Sequence, residues 1–405
     1  MRKKRIAIIG TVGLPASYGG FETLAEHLVD ELAGEFDMTV YCTAKKYPKQ
    51  SRQSYYKGAR LKYLPFDANG LQSIIYDSLS ILHALFYADV LLVLGVSGGF
   101  MLPFVKLFTS KKIIVSIDGI EWKRNKWSKL ARWYLWAAEW VAVRYSHADI
   151  SDNESIQDYT AIRYKTLSHI IEYGADHTLQ VKPTQEDRSK YDFVGQPYAF
   201  KVCRIEPENN IHVVLEAFSK LPKHKLVLVG NWKNSEYGKT MRETYGRFSN
   251  IHLLDPIYNQ RELDMLRGNC LVYIHGHSAG GTNPSLVEAM YLGLPVIAYD
   301  VTYNRTTTEK KALYFRSADD LVHVIEHTTV ACLKRHALSM KTIADRRYTW
   351  KQIANRYRYL VLKVLQASGK ERIEPTKVIS IFSSDYLHQN GMAHLQSPSY
   401  FFEKR

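Results

Sequence analysis

The chain has 405 residues, 46% of them hydrophobic and 23% charged, and Lys plus Arg exceed Asp plus Glu by 54 to 40, a net charge of +14. That length and apolar content supply chain for two ordinary cores and exclude a disordered protein. The charge favours anionic partners: phosphates, nucleic acid or an acidic membrane surface.

The opening, MRKKRIAIIG, is basic, but its apolar run stops at Gly10, shorter than the core of a signal peptide. RIAII (5–9) reads as a strand, TVGLPASYGG as a glycine-rich turn, and Leu24, Leu28 and Leu32 as the apolar stripe of a helix that begins near Phe21. MTVYC (38–42) then closes a βαβ opening, and DVLLVLG (89–95) and KIIVSID (112–118) are continuous apolar runs of the kind buried on both faces of a parallel sheet. The most apolar region, 81–105, is broken by Asp89 and three glycines, so no segment is expected to cross a bilayer.

Residues 121–146 hold five of the seven tryptophans, with Lys123, Arg124, Lys126, Lys129 and Arg132 crowded at the beginning. Trp127, Leu130, Trp133, Ala137, Trp140 and Val141 fall on one helical stripe. Cations at a helix N-terminus oppose the macrodipole, so helix stability does not explain their place. A basic and aromatic mixture suits an anionic membrane interface; the competing reading is a core helix with solvated lysines.

After the polar stretch TQEDRSKYDFVGQP (184–197), strand and helix alternate again: YAFKVCRI from Tyr198, HVVLEAFSKL (212–221), KLVLVG (225–230), NIHLL (250–254), CLVYIHG (270–276), a helix from Pro284, and PVIAYD (295–300). The expected organisation is an α/β domain over 1–183, a linker over 184–197 and a second doubly wound α/β domain over 198–349. A helix over 350–366 is expected to pack back on the first domain, followed by a tail over 367–405 without periodicity. Cys42, Cys203, Cys270 and Cys332 show neither metal-ligand spacing nor a disulfide framework, which reads as a reduced, cytoplasmic protein.

Two loops carry the chemistry. In HGHSAGGTNPSLVEAM (275–290), Asn283 is a good N-cap, Pro284 suits the first helical position, and Gly280 and Gly281 allow backbone amides to approach a ligand. With the positive end of the helix these suit a phosphate; a plain glycine turn with a cap is the alternative. The first loop repeats the logic with Gly13, Gly19 and Gly20, yet it matches neither the Gly-x-Gly-x-x-Gly dinucleotide fingerprint nor a Walker motif. The chain contains no Asp-x-Asp pair, and His275 and His277 lack a third ligand nearby, so no metal site is expected.

The run HSAGGTNPSLVEAMYLGLPVIAYD resembles the donor-binding segment of glycosyltransferase family 4, and YGGFETLAEHL, VCRIEPENNIHVVLEAF and IEYGADHT resemble that family's other landmarks in order, over roughly residues 5–365. YGGFET, DGIEWKR, RIEPENN and GGTNPSLVEAM together are most similar to a bacterial rhamnosyltransferase-like subgroup of capsule and O-antigen assembly. The resemblance implies a GT-B fold, two doubly wound Rossmann-like domains facing across a cleft, and a retaining, metal-independent hexosyltransferase without a cofactor. Its substrates would be a nucleotide-sugar donor, most simply dTDP-rhamnose, and a polyprenyl-diphosphate-linked saccharide, used at the inner face of the cell membrane. The same fold acting on a UDP-hexose, or serving as a non-catalytic sugar-nucleotide-binding scaffold, stays open, while nucleic acid is disfavoured because no nucleic-acid module is present.

By the resemblance, Arg204 carries charge for the diphosphate, with amides from Gly19, Gly20, Gly280, Gly281, Thr282 and Asn283 or with another cation that the sequence does not locate, and Glu288 contacts the ribose. Asp118 takes the loop position where many relatives have an active-site histidine, and Glu121, Trp122, Lys123, Arg124, Lys126 and Trp127 form the acceptor and membrane side. Two departures stand out: the family's pair of acids separated by seven residues is reduced to Glu288, since position 280 is glycine, and the family's phosphate-binding lysine falls at Asn209.

Overall fold

The structure is a computed structural model describing residues 2–16, 19–117, 119–123 and 127–370. The chain forms two compact units, one built from residues up to Tyr173 together with the helix Trp350–Gln366, the other from Gly174 to Thr349.

The first unit has eight strands: β1 (Arg5–Ile9), β2 (Asp37–Thr43), β3 (Tyr55–Tyr56), β4 (Ala59–Leu64), β5 (Val90–Leu94), β6 (Lys112–Ile117), β7 (Ala148–Ser151) and β8 (His169–Ile170). Their order is β3-β4-β2-β1-β5-β6-β7-β8, parallel throughout except for the β3–β4 hairpin. VLLVL in β5 is buried along its whole length, as a strand covered by helices on both faces must be. The βαβ opening places the helix Gly20–Leu32 between β1 and β2, burying Leu24, Leu28 and Leu32.

The helix Trp350–Gln366 packs on Gly20–Leu32, where Trp350 stacks on His27 with ring centroids 4.1 Å apart. Salt bridges from Arg358 to Glu35 and from Arg356 to the buried Glu172 fix it further.

The second unit is an all-parallel, six-stranded sheet of β9 (Tyr198–Val202), β10 (Lys225–Val229), β11 (Ile251–Leu254), β12 (Val272–His275), β13 (Val296–Tyr299) and β14 (Leu313–Phe315), in the order β11-β10-β9-β12-β13-β14. Chain direction across the sheet therefore reverses between β9 and β12, the doubly wound pattern. Residues 184–197, expected as a linker, lie within this unit. Thr184 and Asp187 form a capping box on the helix Gln185–Lys190, and Arg261 pairs with Asp187 at 2.9 Å. The polarity of that stretch reflects a solvated, capped helix.

Candidate functional site

In an open parallel sheet, ligands bind outside the carboxyl ends of the strands where the order reverses. In the second unit that point lies between the loops after β9 and β12, the loops that carry Arg204 and Gly280–Asn283.

The two loops are joined by specific hydrogen bonds. The Asn210 side-chain amide donates to the Gly276 carbonyl at 2.9 Å, and the backbone amide and hydroxyl of Ser278 both donate to the Glu208 carbonyl at 2.9 and 2.8 Å. Asn210 itself adopts a left-handed conformation at φ 48°, which Asn tolerates better than other side chains. Asn209, at the position where a phosphate-binding lysine is implied, is buried and donates to the Arg204 carbonyl at 2.7 Å, so it shapes the turn instead of supplying charge. From the other side, buried Asn304 donates to the carbonyls of His277 and Tyr299 at 2.9 and 2.8 Å.

On this frame the Arg204 side chain is exposed, with Glu206 Oε1 3.7 Å from its guanidinium. Gly280 sits at φ 111°, where a side chain is strained although only the Asn283 amide lies within 4 Å of a Cβ. Backbone conformation, not lack of space, keeps an acid from this position. Gly281 and Thr282 are buried, and Asn283 is the N-cap of the helix Pro284–Tyr291, with Pro284 at its start as the sequence requires. Asn283 makes no side-chain capping bond; its amide leans back toward the Gly281 carbonyl at 3.4 Å.

Glu288, one turn into that helix, is held by Arg267 and His177. Buried Arg267 bonds its Oε2, and His177 Nε2 lies 3.3 Å from its Oε1. Burial alone would raise the carboxyl pKa, but the charge on Arg267, aided by His177, outweighs it and holds the group at about 2. Asp264 stands 3.7 Å from the same guanidinium.

The first unit has its own reversal between β1 and β5, flanked by the loop of Gly13, Gly19 and Gly20. Here the helix Gly20–Leu32 provides acids: Glu22 accepts from the Val12 amide at 2.6 Å and Glu26 from the Ala16 amide at 2.7 Å. A Cβ on Gly19 would lie 1.9 Å from Glu22 Oε2, so a carboxylate already occupies the start of the helix expected to receive an anion. Of the remaining candidates, Asp118, Arg124 and Lys126 lie outside the described residues.

Trp122, expected on the acceptor and membrane side, is instead only 5% exposed, and its indole donates to Tyr159 Oη at 2.9 Å within a network that includes buried Glu139 and Arg163. Glu121 accepts from the Trp127 indole at 3.0 Å, and Lys123 ends the same short turn, Glu121–Lys123. Among the described residues no group of three or more His, Cys, Asp or Glu side chains could hold a metal ion.

Residues 183–333 match the family model described as "Glycosyl transferases group 1". The second unit carries a glycosyltransferase group 1 domain. Residues 3–176 match a second model, "Domain of unknown function (DUF1972)", and no curated protein matches the chain by sequence. Among solved structures, the chain is similar to sucrose-phosphate synthase from Thermosynechococcus elongatus at 16% identity and a TM-score of 0.75, covering 90% of this chain and 100% of that one. HepE of Anabaena, in complex with UDP-glucose, aligns at 15% identity and a TM-score of 0.66 over 89% of this chain and 99% of its own. A glycosyltransferase from Rickettsia africae aligns at 13% identity and a TM-score of 0.65, over 91% and 100%. These likenesses show the fold, GT-B with two Rossmann-like domains.

Within the second unit, sequence reasoning missed Arg267, His177 and Asn304. Arg267 lies on the helix Gln260–Gly268, where QRELDMLRG looks like an ordinary polar surface helix. Its near-complete burial follows from the tertiary placement of Glu288, which no local periodicity records. His177 was legible only as part of IEYGADHT. In the first unit, Glu22 and Glu26 stand four residues apart on one helix face, a spacing visible in FETLAEHL.

Proposed function

We propose that the protein is a retaining glycosyltransferase that moves a sugar from a nucleotide-sugar donor, L-rhamnose from dTDP-rhamnose in the first instance, to a polyprenyl-diphosphate-linked saccharide in surface-polysaccharide synthesis. The observation that carries this reading is that the loop bearing exposed Arg204 and the loop bearing the Gly280–Thr282 turn are hydrogen-bonded together, through Asn210–Gly276 and Ser278–Glu208, at the strand-order reversal of the unit that matches the glycosyltransferase group 1 model. Breaking the anomeric bond builds negative charge on the leaving diphosphate, which a guanidinium and oriented amides stabilise. In this reading Arg204 and the amides of Gly281, Thr282 and Asn283 hold the diphosphate, while in the first unit Glu22 already faces the loop of Gly19 and Gly20. Glu288 accepts the ribose hydroxyls on lone pairs left over from Arg267 and His177.

The rhamnose assignment rests on the resemblance and on Gly280, whose backbone conformation leaves no acid to bind a donor-sugar hydroxyl. The discriminating experiment incubates purified protein with dTDP-rhamnose and with UDP-glucose in the presence of a polyprenyl-diphosphate-linked saccharide. Transfer from dTDP-rhamnose is expected. Transfer from UDP-glucose alone would overturn the rhamnose assignment, and nucleotide binding without turnover on either donor would favour the scaffold reading.

The lipid-linked acceptor is supported by the surface of the first unit. On the helix Lys129–Tyr145, Leu130, Trp133 and Trp140 point outward with Lys129 and Arg144, while Leu135, Ala138 and Val141 are buried. The neighbouring helix Leu102–Phe108 adds exposed Phe104, Leu107 and Phe108, the last 78% exposed. Exposed apolar side chains on two packed helices suit an interaction site, and Lys129 and Arg144 beside them suit anionic lipid. No helix of the described residues is long and apolar enough to cross a membrane. The double variant Leu130→Asn, Trp133→Gln is expected to lose cosedimentation with phosphatidylglycerol vesicles while keeping soluble donor binding; undiminished sedimentation would remove this face from the membrane reading.

A further inference from the structure

Lys201, near the carboxyl end of β9, is 1% exposed, and its Nζ has no hydrogen-bond partner among the described residues. Its strand partner on β10 is Leu228, so its stem runs along the apolar face of the sheet. The head lies under the junction of the two site loops. A Cβ on Gly276 would sit 2.7 Å from Nζ and 2.4 Å from the Asn209 carbonyl, so only glycine at 276 leaves room for the ammonium beneath the β12 loop. Adjacent His275 is fully buried with both ring nitrogens unpartnered, and burial together with Lys201 holds its pKa well below the usual range, so it is neutral and brings no counter-charge.

A buried ammonium without a partner is costly to the folded state, and burial accordingly holds the Lys201 pKa below its ordinary value. Such a cost recurs where a charge serves a ligand. Here the ligand chemistry is set by position. The two loops that meet over Nζ are those of Arg204 and of the Gly280–Thr282 turn, and Asn209 in the first of them carries no charge.

We propose that Lys201 is the second cation of the diphosphate site, its ammonium neutralised by the donor's phosphates when they dock on these two loops. The proposal rests on the sugar-nucleotide reading above and assigns the charge that Arg204 alone would otherwise carry. It also gives Gly276 a role, because any side chain there would displace the ammonium.

The test measures three ligands on the full chain by calorimetry, UDP, dTDP and inorganic pyrophosphate, with uridine and thymidine as phosphate-free controls, in wild type and Lys201→Met. The Met variant is expected to have a higher Tm than wild type and to bind the better nucleoside diphosphate, and pyrophosphate, roughly tenfold to a hundredfold more weakly. Affinity for the matching nucleoside should not change. Equal diphosphate affinity in the two proteins would overturn the role of Lys201. So would a Met variant that is less stable or does not fold, or an equal loss for nucleoside and diphosphate, because each marks Lys201 as structural. Lys201→Gln, which keeps a donor but no charge, should lose pyrophosphate affinity as Met does; retained affinity would overturn the charge argument. A wild type that binds none of the diphosphates would instead remove the sugar-nucleotide reading itself.

Discussion

Replacing Arg204 with alanine is expected to lower kcat/KM for sugar transfer by about a hundredfold to a thousandfold, the range for removing one preorganised group that stabilises transition-state charge. Tm should hardly move. The side chain is 43% exposed, and its ion-pair contact is Glu206 at 3.7 Å, a surface pair of the kind worth well under about 1 kcal/mol. The β9 turn itself is held by backbone and amide contacts that the substitution leaves in place, namely Asn209 to the Arg204 carbonyl and Asn210 to Gly276. Steady-state kinetics with saturating acceptor, read beside a thermal melt, check both halves. A loss confined to KM would mean that Arg204 holds donor and transition state equally, and unchanged activity would remove it from the mechanism. Arg204→Lys should recover only part of the rate, because a point charge lacks the planar fork that meets two phosphate oxygens together.

The architecture was legible because buried parallel strands write themselves as apolar runs. RIAII, VLLVL, KIIVSI and KLVLV became β1, β5, β6 and β10 with edges shifted by a residue or two at most. The helix start at Pro284 was equally plain, since proline at the first helical position and asparagine before it have few other uses. What the sequence did not disclose is long-range pairing. Arg267 and Glu288 are 21 residues apart on separate helices, and each reads locally as a solvated charge. Trp122 shows the same limit in reverse: beside Lys123 it reads as an interfacial residue, yet Tyr159 and Glu139, far along the chain, draw it into the core. The direction in which Glu22 turns is likewise set by the Val12 amide and not by its place in the helix.

Glu288→Gln is expected to destabilise the second unit by about 3–5 kcal/mol, because it leaves Arg267 buried without its main counter-charge. The pH dependence follows from the same pair. The folded carboxyl pKa, about 2, lies below its ordinary 4.5, so the associated stability is fully present above about pH 4.5 and is lost as the pH falls through about 2. That shift corresponds to something on the order of 3 kcal/mol. Urea denaturation at several pH values between neutral and about 3 should therefore show a steep decline in wild type that is shallower in Glu288→Gln; parallel declines would mean that other carboxylates govern acid unfolding.

The double variant Arg267→Met, Glu288→Leu separates stability from function. Removing both charges should restore part of the stability lost by either single change, as replacement of a buried pair by apolar side chains commonly does; the recovery is partial because buried Asp264, whose Oδ2 still accepts from the Leu179 amide at 2.9 Å and from Gln260, loses Arg267 as its counter-charge. Nucleotide binding should not return with it, because the acceptor for the ribose hydroxyls is gone. A double variant that regains stability and binds a nucleoside diphosphate as wild type does would confine Glu288 to holding the unit together and shift ribose recognition to another residue.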